Sequence, residues 1–271
     1  LLDRIHRVKF EHLTIDDKLV IIHKHLLPDM YKQIGIKDVI YFDDDVLRFI
    51  IEEYTCEPGV RKLKEILFEI ISEINLEILN SESKYTFPYE ITKNDIKFNY
   101  LKDKNEIIHK IIHKDSTIGI INGLWANNMG MGGIIPIECN FLLSNNFMDL
   151  KLTGLQGDVM KESMSVAKTL AWKLTEKKSQ TKLCKQFEKT KLQGIHIHCP
   201  EGAVPKDGPS AGTAITTCIF SLLNNKKIKN NLAITGEINL EGKVTAIGGL
   251  DLKILGGIRA GVNTFLFPKE N

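Results

Sequence analysis

Apolar residues recur at helical spacing through the first hundred residues of the chain. The longest such stretch, residues 58–79, carries one apolar stripe at three- and four-residue steps, which predicts an amphipathic helix. Proline is tolerated in the first turn of a helix, so Pro58 is expected to open this one. Thr14, Asp43 and Thr92 stand where they can cap three further helices. Together these elements predict a small helical bundle.

The pattern changes after a linker region at residues 104–116. Apolar runs rich in β-branched residues then predict strands, which are interleaved with amphipathic stretches that predict helices. Strands are expected at 117–126, 133–143, 147–155, 194–199, 231–247 (two strands around a Glu241–Gly242 turn) and 263–268. Helices are expected at 158–178, 210–224 and 251–261. Because strands and helices do not alternate strictly, we predict an α+β fold, with domains at residues 1–105 and 106–271.

The composition is that of an ordinary globular protein. The chain has 271 residues, of which 43% are hydrophobic and 26% charged, and its formal net charge is +2. So small a net charge creates no global basic field that would indicate nucleic-acid binding. Lysines are concentrated locally, in residues 175–191 and 226–229, where a solvated helix end and loop is the simpler interpretation.

The cysteines and the apolar runs indicate the redox compartment and whether the chain could span a membrane. The chain has five cysteines, an odd number, and no two form a CxxC pair, which favours a reducing compartment over a disulfide framework. No apolar run reaches the roughly 18 residues that a membrane span needs. The chain begins without Met or a signal-like segment, so we expect it to be a piece of a longer polypeptide.

The segment PKDGPSAG, residues 205–212, places Ser210 at the start of a predicted helix. One interpretation is a helix N-cap, a common role of serine at such a position. The other is a nucleophile, because the unpaired N–H groups at a helix start can stabilise developing negative charge. A serine hydroxyl is a poor nucleophile until a base removes its proton, so this interpretation requires a base elsewhere in the chain.

Histidine and lysine are the candidate bases. His196 and His198 alternate along a predicted strand and therefore share one face, whereas Cys199 faces the other, so no metal site is expected there. Lys253 lies on a short helix of mostly apolar and small residues. A lysine acts as a base only when it is neutral, and burial among apolar groups favours the neutral form. The alternative for Lys253 is a side chain whose charged end stays in water.

Several motifs favour one family. DGPSAG (207–212), TGE (235–237) and GGLDLK (248–253) resemble, in their order and spacing, the proteolytic domain of the ATP-dependent Lon proteases. Upstream, LLDR (1–4) and EPGVR (57–61) are similar to the end of the Lon AAA+ module and its small helical subdomain. The resemblance covers nearly the whole chain and implies a serine endopeptidase.

The resemblance also implies roles for individual residues of the proteolytic part. Ser210 is expected to be the nucleophile and Lys253 the general base, with Thr235 supporting the lysine through a hydrogen bond. His198 and Asp207 are expected to line the site. Peptide hydrolysis by this pair needs neither a cofactor nor a metal ion.

The upstream part is expected to belong to a nucleotide site. By the resemblance, Arg4 is the arginine finger that reaches the nucleotide of a neighbouring subunit, and Arg61 is a sensor for the phosphates. The sequence contains no GxxxxGK[ST] phosphate loop, so ATP and magnesium are expected in the longer polypeptide. The implied partners are unfolded polypeptides and further copies of the chain, assembled as a closed ring, a hexamer.

The sequence departs from the family pattern at two places. Residues 123–133, GLWANNMGMGG, differ from the GLAWT pattern of the first protease strand, which leaves the cleavage preference open. Leu252 stands where a second charged residue often precedes the lysine, and it makes the surroundings of Lys253 more apolar. Neither change removes a predicted catalytic residue.

Two other functions stay open at this point. A non-catalytic assembly module could hold DNA through the lysine-rich surface, with Ser210 as a cap, and a Ser–Lys amidase could act on small molecules.

The cellular compartment is also open. The stretch LTGLQGDVMKES, residues 152–163, resembles organellar members somewhat more than others, which favours the mitochondrial matrix; a bacterial cytoplasm is the alternative.

Overall fold

Two compact units make up the chain, each with its own hydrophobic core. The computed structural model describes residues 13–36, 39–55, 57–80, 86–127, 130–200 and 207–271. One unit comprises the described residues up to Ile108 together with Gly130, and the other runs from His109 to Asn127 and from Met131 to Asn271. The domain boundary at residue 105 stays a prediction.

The first unit is helical, as predicted. Two three-residue strands, β1 (Ile40–Phe42) and β2 (Tyr89–Ile91), pair in parallel, and β1 was too short for its periodicity to be recognised. The helices are α1 (Ile15–Ile21) and α2 (Leu27–Ile34), joined by a π-helical turn (Ile22–Leu26), then α3 (Asp44–Tyr54), α4 (Arg61–Asn80) and the short α5 (Lys93–Asp95), which continues into a second π-helical turn (Ile96–Tyr100).

Local side chains start three of these helices as the sequence predicts. Thr14 and Asp17 form a reciprocal capping box at α1. Asp43 caps α3 by accepting a hydrogen bond from the backbone N–H of Asp45 at 3.0 Å. Thr92 begins a second capping box, at α5. These caps satisfy N–H groups that the first turn of a helix leaves unpaired.

Helix α4 begins at Arg61, so the prediction that Pro58 opens it is wrong. The carboxylate of Glu57 accepts hydrogen bonds from the backbone N–H groups of Lys62 and Leu63, at 2.9 and 2.8 Å. A residue outside the helix therefore fixes its start. The predicted apolar stripe of α4 is buried and forms the centre of the core: Leu63, Ile66, Leu67, Ile70, Ile71, Ile74 and Ile78.

The second unit is built on a mixed six-stranded sheet. Its strands are β3 (Ile120–Ala126), β4 (Gly132–Leu142), β5 (Leu150–Thr153), β6 (Gly194–His198), β7 (Leu232–Ile234) and β10 (Thr264–Leu266). They are ordered β10-β7-β3-β4-β6-β5, with antiparallel pairing on both sides of β4 and parallel pairing elsewhere. A separate antiparallel hairpin consists of β8 (Glu237–Ile238) and β9 (Val244–Thr245).

Helices cover both faces of this sheet. They are α6 (Asp158–Leu174), α7 (Lys177–Thr190), α8 (Gly212–Asn224) and α9 (Leu250–Arg259). Because side chains alternate along a strand, Ile135 and Ile137 point to one face, where they pack in a core with α6 and α8. Leu124 and Ile134 point to the other face, against which α9 lies. Helices α8 and α9 therefore approach the sheet from opposite sides.

The lysine-rich stretch forms the separate helix α7, whereas a helix end and loop was expected. The reason is an inner apolar face. Leu183 is buried, and the ring of Phe187 meets that of Phe147 edge-on, with 5.3 Å between the ring centroids. These contacts hold one face of α7 on the unit and leave the lysines on the other face.

The strand predicted at the start of residues 231–247 breaks at Thr235 and Gly236. The N–H of Gly236 donates to the carbonyl oxygen of Ser210 at 2.8 Å, and its own carbonyl accepts from the N–H of Thr213 at 3.1 Å. Backbone groups that could have continued a sheet ladder therefore bind the segment that carries the serine. This explains why β7 and β8 belong to different sheets.

The α+β fold class predicted from the sequence is confirmed. The first unit is a small helical bundle, and the second combines a mixed sheet with helices on both faces. Within the described ranges, no helix is long and apolar enough to cross a membrane.

Replacing Leu67 by alanine tests the packing of the first unit. Leu67 is fully buried, and such a truncation costs about 2–5 kcal/mol of the free energy of unfolding. Leu79, on the same helix, is 68% exposed, so Leu79→Ala should change stability by less than about 0.5 kcal/mol. Urea denaturation followed by circular dichroism measures both variants. Equal losses would contradict the assigned faces of α4.

Candidate active site

Ser210 lies in a 3-10 turn (Pro209–Ala211) directly before α8. The turn follows Gly208, whose φ of 121° is a value that residues with side chains rarely adopt. The N-cap residue of α8 is Ala211 and not Ser210. The hydroxyl of Ser210 is therefore not used as a helix cap, which argues against the simpler interpretation of this serine.

The amine of Lys253 points at this hydroxyl. Its Nζ lies 3.1 Å from Oγ of Ser210 and 3.4 Å from Oγ1 of Thr235. Lys253 sits in the first turn of α9 and is only 4% exposed, so its charged end does not stay in water. Burial lowers the pKa of the Lys253 ammonium below its ordinary value, because desolvation disfavours the charged form.

Thr235 directly follows β7 and links the two groups. It is 1% exposed, and its Oγ1 donates to the carbonyl oxygen of Ser210 at 3.2 Å. Because that hydroxyl proton is already used, the lone pairs of Oγ1 are left to accept a hydrogen bond from Nζ of Lys253. With one N–H held by Thr235, the lone pair of a neutral amine can face the Ser210 hydroxyl. The geometry therefore allows Thr235 to orient the lysine.

The carboxylate of Asp207 ties the serine turn to α6. Its Oδ1 accepts hydrogen bonds from the backbone N–H groups of Met160, in the first turn of α6, and of Gly208, both at 3.0 Å. Helix α6 has Gly157 as its N-cap residue, and Asp207 supplies the acceptor that glycine lacks. A Cβ on Gly157 would lie 2.4 Å from Cγ of Asp207. The carboxylate therefore holds the turn in place.

The two histidines form a separate pair on the sheet. Nε2 of His196 and Nδ1 of His198 lie 2.9 and 2.7 Å from Oγ1 of Thr153. Both belong to the same face of β6, as predicted. Lys253, and not a histidine, is the residue placed at the serine hydroxyl, so the geometry favours lysine as the base. That His198 lines the site stays a prediction.

The predicted nucleotide-binding arginines lie apart from this constellation in the sequence. Arg4 falls outside the described residues. Arg61 is the first residue of α4; its side chain is 92% exposed, and its Nε lies 3.4 Å from the carboxylate of Glu65. An exposed ion pair of this kind is weak. The guanidinium therefore remains available to a phosphate group.

The buried cysteines are not suited to act as nucleophiles in place of Ser210. Sγ of Cys218 donates to the carbonyl oxygens of Gly119 and Ile137, at 3.1 and 3.3 Å. Burial raises the pKa of the Cys218 thiol well above its ordinary value, which disfavours the reactive thiolate. Cys199 is also buried. Among the residues that the structure describes, no three His, Cys, Asp or Glu side chains gather as a metal-binding group.

Sequence reasoning missed two supports of the site, Gly236 and Thr213. Gly236 binds the carbonyl oxygen of Ser210 through its N–H, and Oγ1 of Thr213 donates to the carbonyl oxygen of Gly236 at 3.0 Å. Gly236 lies inside the TGE motif and Thr213 directly follows DGPSAG, which was the available signal. Their hydrogen-bond partners are 23 to 26 residues away in the chain, so only the folded arrangement reveals the link.

A buried lysine within hydrogen-bond distance of a serine hydroxyl is the arrangement of a serine hydrolase that uses lysine as its base. Comparison with protein families is consistent with this class. Residues 90–271 match the Lon protease C-terminal proteolytic domain, and residues 32–87 match the Lon protease AAA+ ATPase lid domain. The chain belongs to the Lon protease family, whose proteolytic domain is that of a serine peptidase.

Curated relatives align along the whole chain. It is 38% identical to a Lon protease of Clostridium acetobutylicum, 36% identical to a Lon protease of Clostridioides difficile, and 34% identical to a Lon protease homolog of Acanthamoeba polyphaga mimivirus. In each case all of this chain is covered, against 32–33% of the relative. The chain thus spans about a third of the length of these proteins.

Removing the hydroxyl of Thr235 tests its part in orienting the lysine. Thr235→Val keeps the shape of the side chain but loses one hydrogen bond to Lys253 and one to Ser210. Since a hydrogen bond contributes about 0.5–1.5 kcal/mol, kcat for a peptide substrate should fall by about 2- to 12-fold or more. Thr235→Ser, which retains the hydroxyl, is the matched control. Equal activity of the valine and serine variants would contradict the role.

Proposed function

We propose that this chain carries a peptidase that cleaves polypeptides with a Ser210–Lys253 dyad. The observation that carries the proposal is the 3.1 Å distance between Nζ and Oγ, made by a lysine that is almost fully buried. Burial favours the neutral amine, which is the form that can accept the serine proton. The relatives named above are called Lon proteases, and the proposed reaction agrees with that name.

The dyad acts in two half-reactions. Neutral Lys253 takes the hydroxyl proton as Oγ of Ser210 attacks the carbonyl carbon of a peptide bond. The resulting ammonium returns that proton to the leaving amine as the C–N bond breaks, and an ester remains on Ser210. Lys253 then takes a proton from water, whose oxygen attacks the ester. As the second intermediate collapses, the Lys253 ammonium returns that proton to Oγ of Ser210, which releases the acid and restores the hydroxyl and the neutral amine.

The negative oxygen of each tetrahedral intermediate needs a hydrogen-bond donor. In the turn that carries the serine, the N–H of Gly208 already donates to Asp207, and Pro209 has no N–H. These two residues therefore offer no donor, and the backbone N–H of Ser210 itself is a candidate for this role. Its position at the start of a helix also favours negative charge.

The whole protein is proposed to be an ATP-dependent protease. ATP and magnesium would bind in a part that carries a phosphate loop, with Arg61 reaching the phosphates and Arg4 reaching a neighbouring subunit's nucleotide. We propose a closed ring, a hexamer, that threads unfolded polypeptides to the dyad, and a domain division at residue 105. The bacterial relatives favour a bacterial cytoplasm over the mitochondrial matrix.

Two substitutions and a pH profile test the dyad. Ser210→Ala and Lys253→Met should both abolish hydrolysis of a fluorogenic peptide between pH 6 and 10. In the parent, activity should rise with pH as the lysine loses its proton. Because the pKa of Lys253 is lowered by burial, the midpoint of that rise should lie below the value of about 10.4 for free lysine.

The exposed Lys243 offers a matched control, since Lys243→Met removes a lysine outside the dyad. The measurements are made on this chain and, in parallel, on the longer protein proposed to contain it. Full activity of Lys253→Met in either preparation would overturn the dyad. Cleavage of casein separates a protease from an amidase for small molecules, because only a protease degrades an unfolded protein.

A second candidate function is polyanion binding by α7, in addition to hydrolysis. Lys178, Lys182, Lys185 and Lys189 recur at three- and four-residue steps and are all exposed, so they form one row along the helix. A row of cations on one face suits the repeating phosphates of duplex DNA. The dyad geometry argues against the alternative in which such binding is the only function.

A salt titration of binding to duplex DNA tests this surface. If the four lysines of the row each neutralise one phosphate, the logarithm of the binding constant should fall with the logarithm of salt concentration, with a slope of about −3.6. Lys182→Glu with Lys185→Glu should weaken binding, whereas Lys243→Glu should not. Absence of salt-dependent binding at low ionic strength would exclude the candidate.

A further inference from the structure

Helix α9 lies against β4 with almost no space between their backbones. A Cβ added to Gly132 would lie 2.0 Å from the carbonyl oxygen of Leu252 and 3.0 Å from the backbone nitrogen of Lys253. Carbon atoms do not tolerate the first of these distances. Strand β4 can therefore touch the helix here only because Gly132 has no side chain. The contact falls on the backbone of the residue that carries the proposed catalytic amine.

A second glycine completes this contact from the helix. A Cβ on Gly256 would lie 2.1 Å from the carbonyl carbon of Gly132 and 2.3 Å from the nitrogen of Gly133. Gly256 is three residues after Lys253, and residues at this spacing lie on neighbouring parts of one helix surface. The strand and the helix thus meet backbone to backbone beside the first turn of α9.

The distance between α9 and the sheet determines the position of the Lys253 amine. Nζ of Lys253 lies 3.1 Å from Ser210 and 3.4 Å from Thr235, so both contacts are near the upper limit of hydrogen-bond length. A displacement of the helix by about 1 Å is enough to break at least one of them. The same displacement would let water approach a group that is now buried.

We propose that Gly132 is a positioning residue for the peptidase. Gly132 lets β4 lie directly on the backbone at Leu252 and Lys253. The amine of Lys253 is thereby held where it is shielded from water and still reaches Ser210. The inference rests on the proposed Ser–Lys function and adds a residue outside the motifs that define it. Gly132 acts through Lys253 and does not itself contact the reacting atoms.

This contact affects the pKa of Lys253 through burial and not through a neighbouring charge. Carboxylates near an ammonium group would raise its pKa, whereas the pKa of Lys253 is lowered by desolvation. Water that reaches Nζ should therefore raise this pKa towards the ordinary value. Among the described residues, the charged side chains other than Lys253 on α9, on β3, β4, β7 and β10, on the β8–β9 hairpin and on the serine turn are those of Asp251, Arg259, Glu138, Glu237, Glu241, Lys243 and Asp207.

The test is the pH dependence of peptide hydrolysis by Gly132→Ala. The added methyl should push α9 away from β4, so kcat at pH 7.5 should fall by about tenfold or more while KM changes by less than about twofold. The rise of kcat with pH should move upwards by about one unit, and activity should approach that of the parent near pH 10. A purely structural defect would lower activity equally at every pH.

Gly248→Ala is the matched control. Gly248 lies just before α9, has no atom near the position of an added Cβ and does not need a left-handed backbone. Its variant should keep the parent's pH profile. Gly256→Ala places a methyl in the same contact from the helix and should shift the profile in the same direction as Gly132→Ala.

Circular dichroism and thermal unfolding establish that each variant is folded. An unmoved pH profile in a folded Gly132→Ala or Gly256→Ala protein would overturn the proposal. Failure of both to fold, with Gly248→Ala intact, would assign the contact to stability alone and would overturn it as well. The variant Lys253→Met distinguishes failure of the positioning role from failure of the proposed peptidase function. If that variant is inactive and the glycine variants behave like the parent, only the positioning role fails.

Discussion

Exclusion of water from the amine of Lys253 is the constraint on which the site depends. An exposed lysine is an ammonium ion at neutral pH and can remove no proton from a serine. The fold leaves Lys253 only 4% exposed and places its amine beside two hydroxyl groups. No carboxylate is among its described contacts. The free-energy cost of desolvating the charge thereby favours the neutral amine, which is the form that the proposed base requires.

The two residues of the proposed dyad come together from opposite sides of the sheet. The serine turn leads into α8, which packs on one face, and the lysine belongs to α9, which packs on the other. They meet just past the end of β7, where the strand stops and Thr235 contacts both residues. The interruption of the predicted strand at this point is thus part of the site, because its freed backbone groups bind the serine turn.

Close backbone contacts hold Ser210, Thr235 and Lys253 in position as much as their side-chain hydrogen bonds do. Asp207 takes the place of a missing cap on α6 and so anchors the turn before Ser210. On the other face, β4 and α9 touch at glycines, which leaves the helix little freedom to move relative to the strand. The proposed dyad joins two residues from distant parts of the chain and needs such supports, since hydrogen-bond contacts fail with displacements of about 1 Å.

Much of this protein could be predicted from residue patterns alone. Spacing of apolar residues identified α4 and the strands of the sheet, and local capping signals marked α1 and α3, because these features depend on neighbours in the chain. Motif order also pointed to Ser210, Lys253 and Thr235. Three features needed the tertiary structure: the break after β7, the start of α4 at Arg61 and the burial of Lys253. The break after β7 and the burial of Lys253 depend on partners distant in sequence, such as the serine turn. The start of α4 depends on side-chain contacts of Glu57, which the spacing of apolar residues does not report. Periodicity reports which face of an element is apolar, but only packing decides which backbone and amine groups lose contact with water.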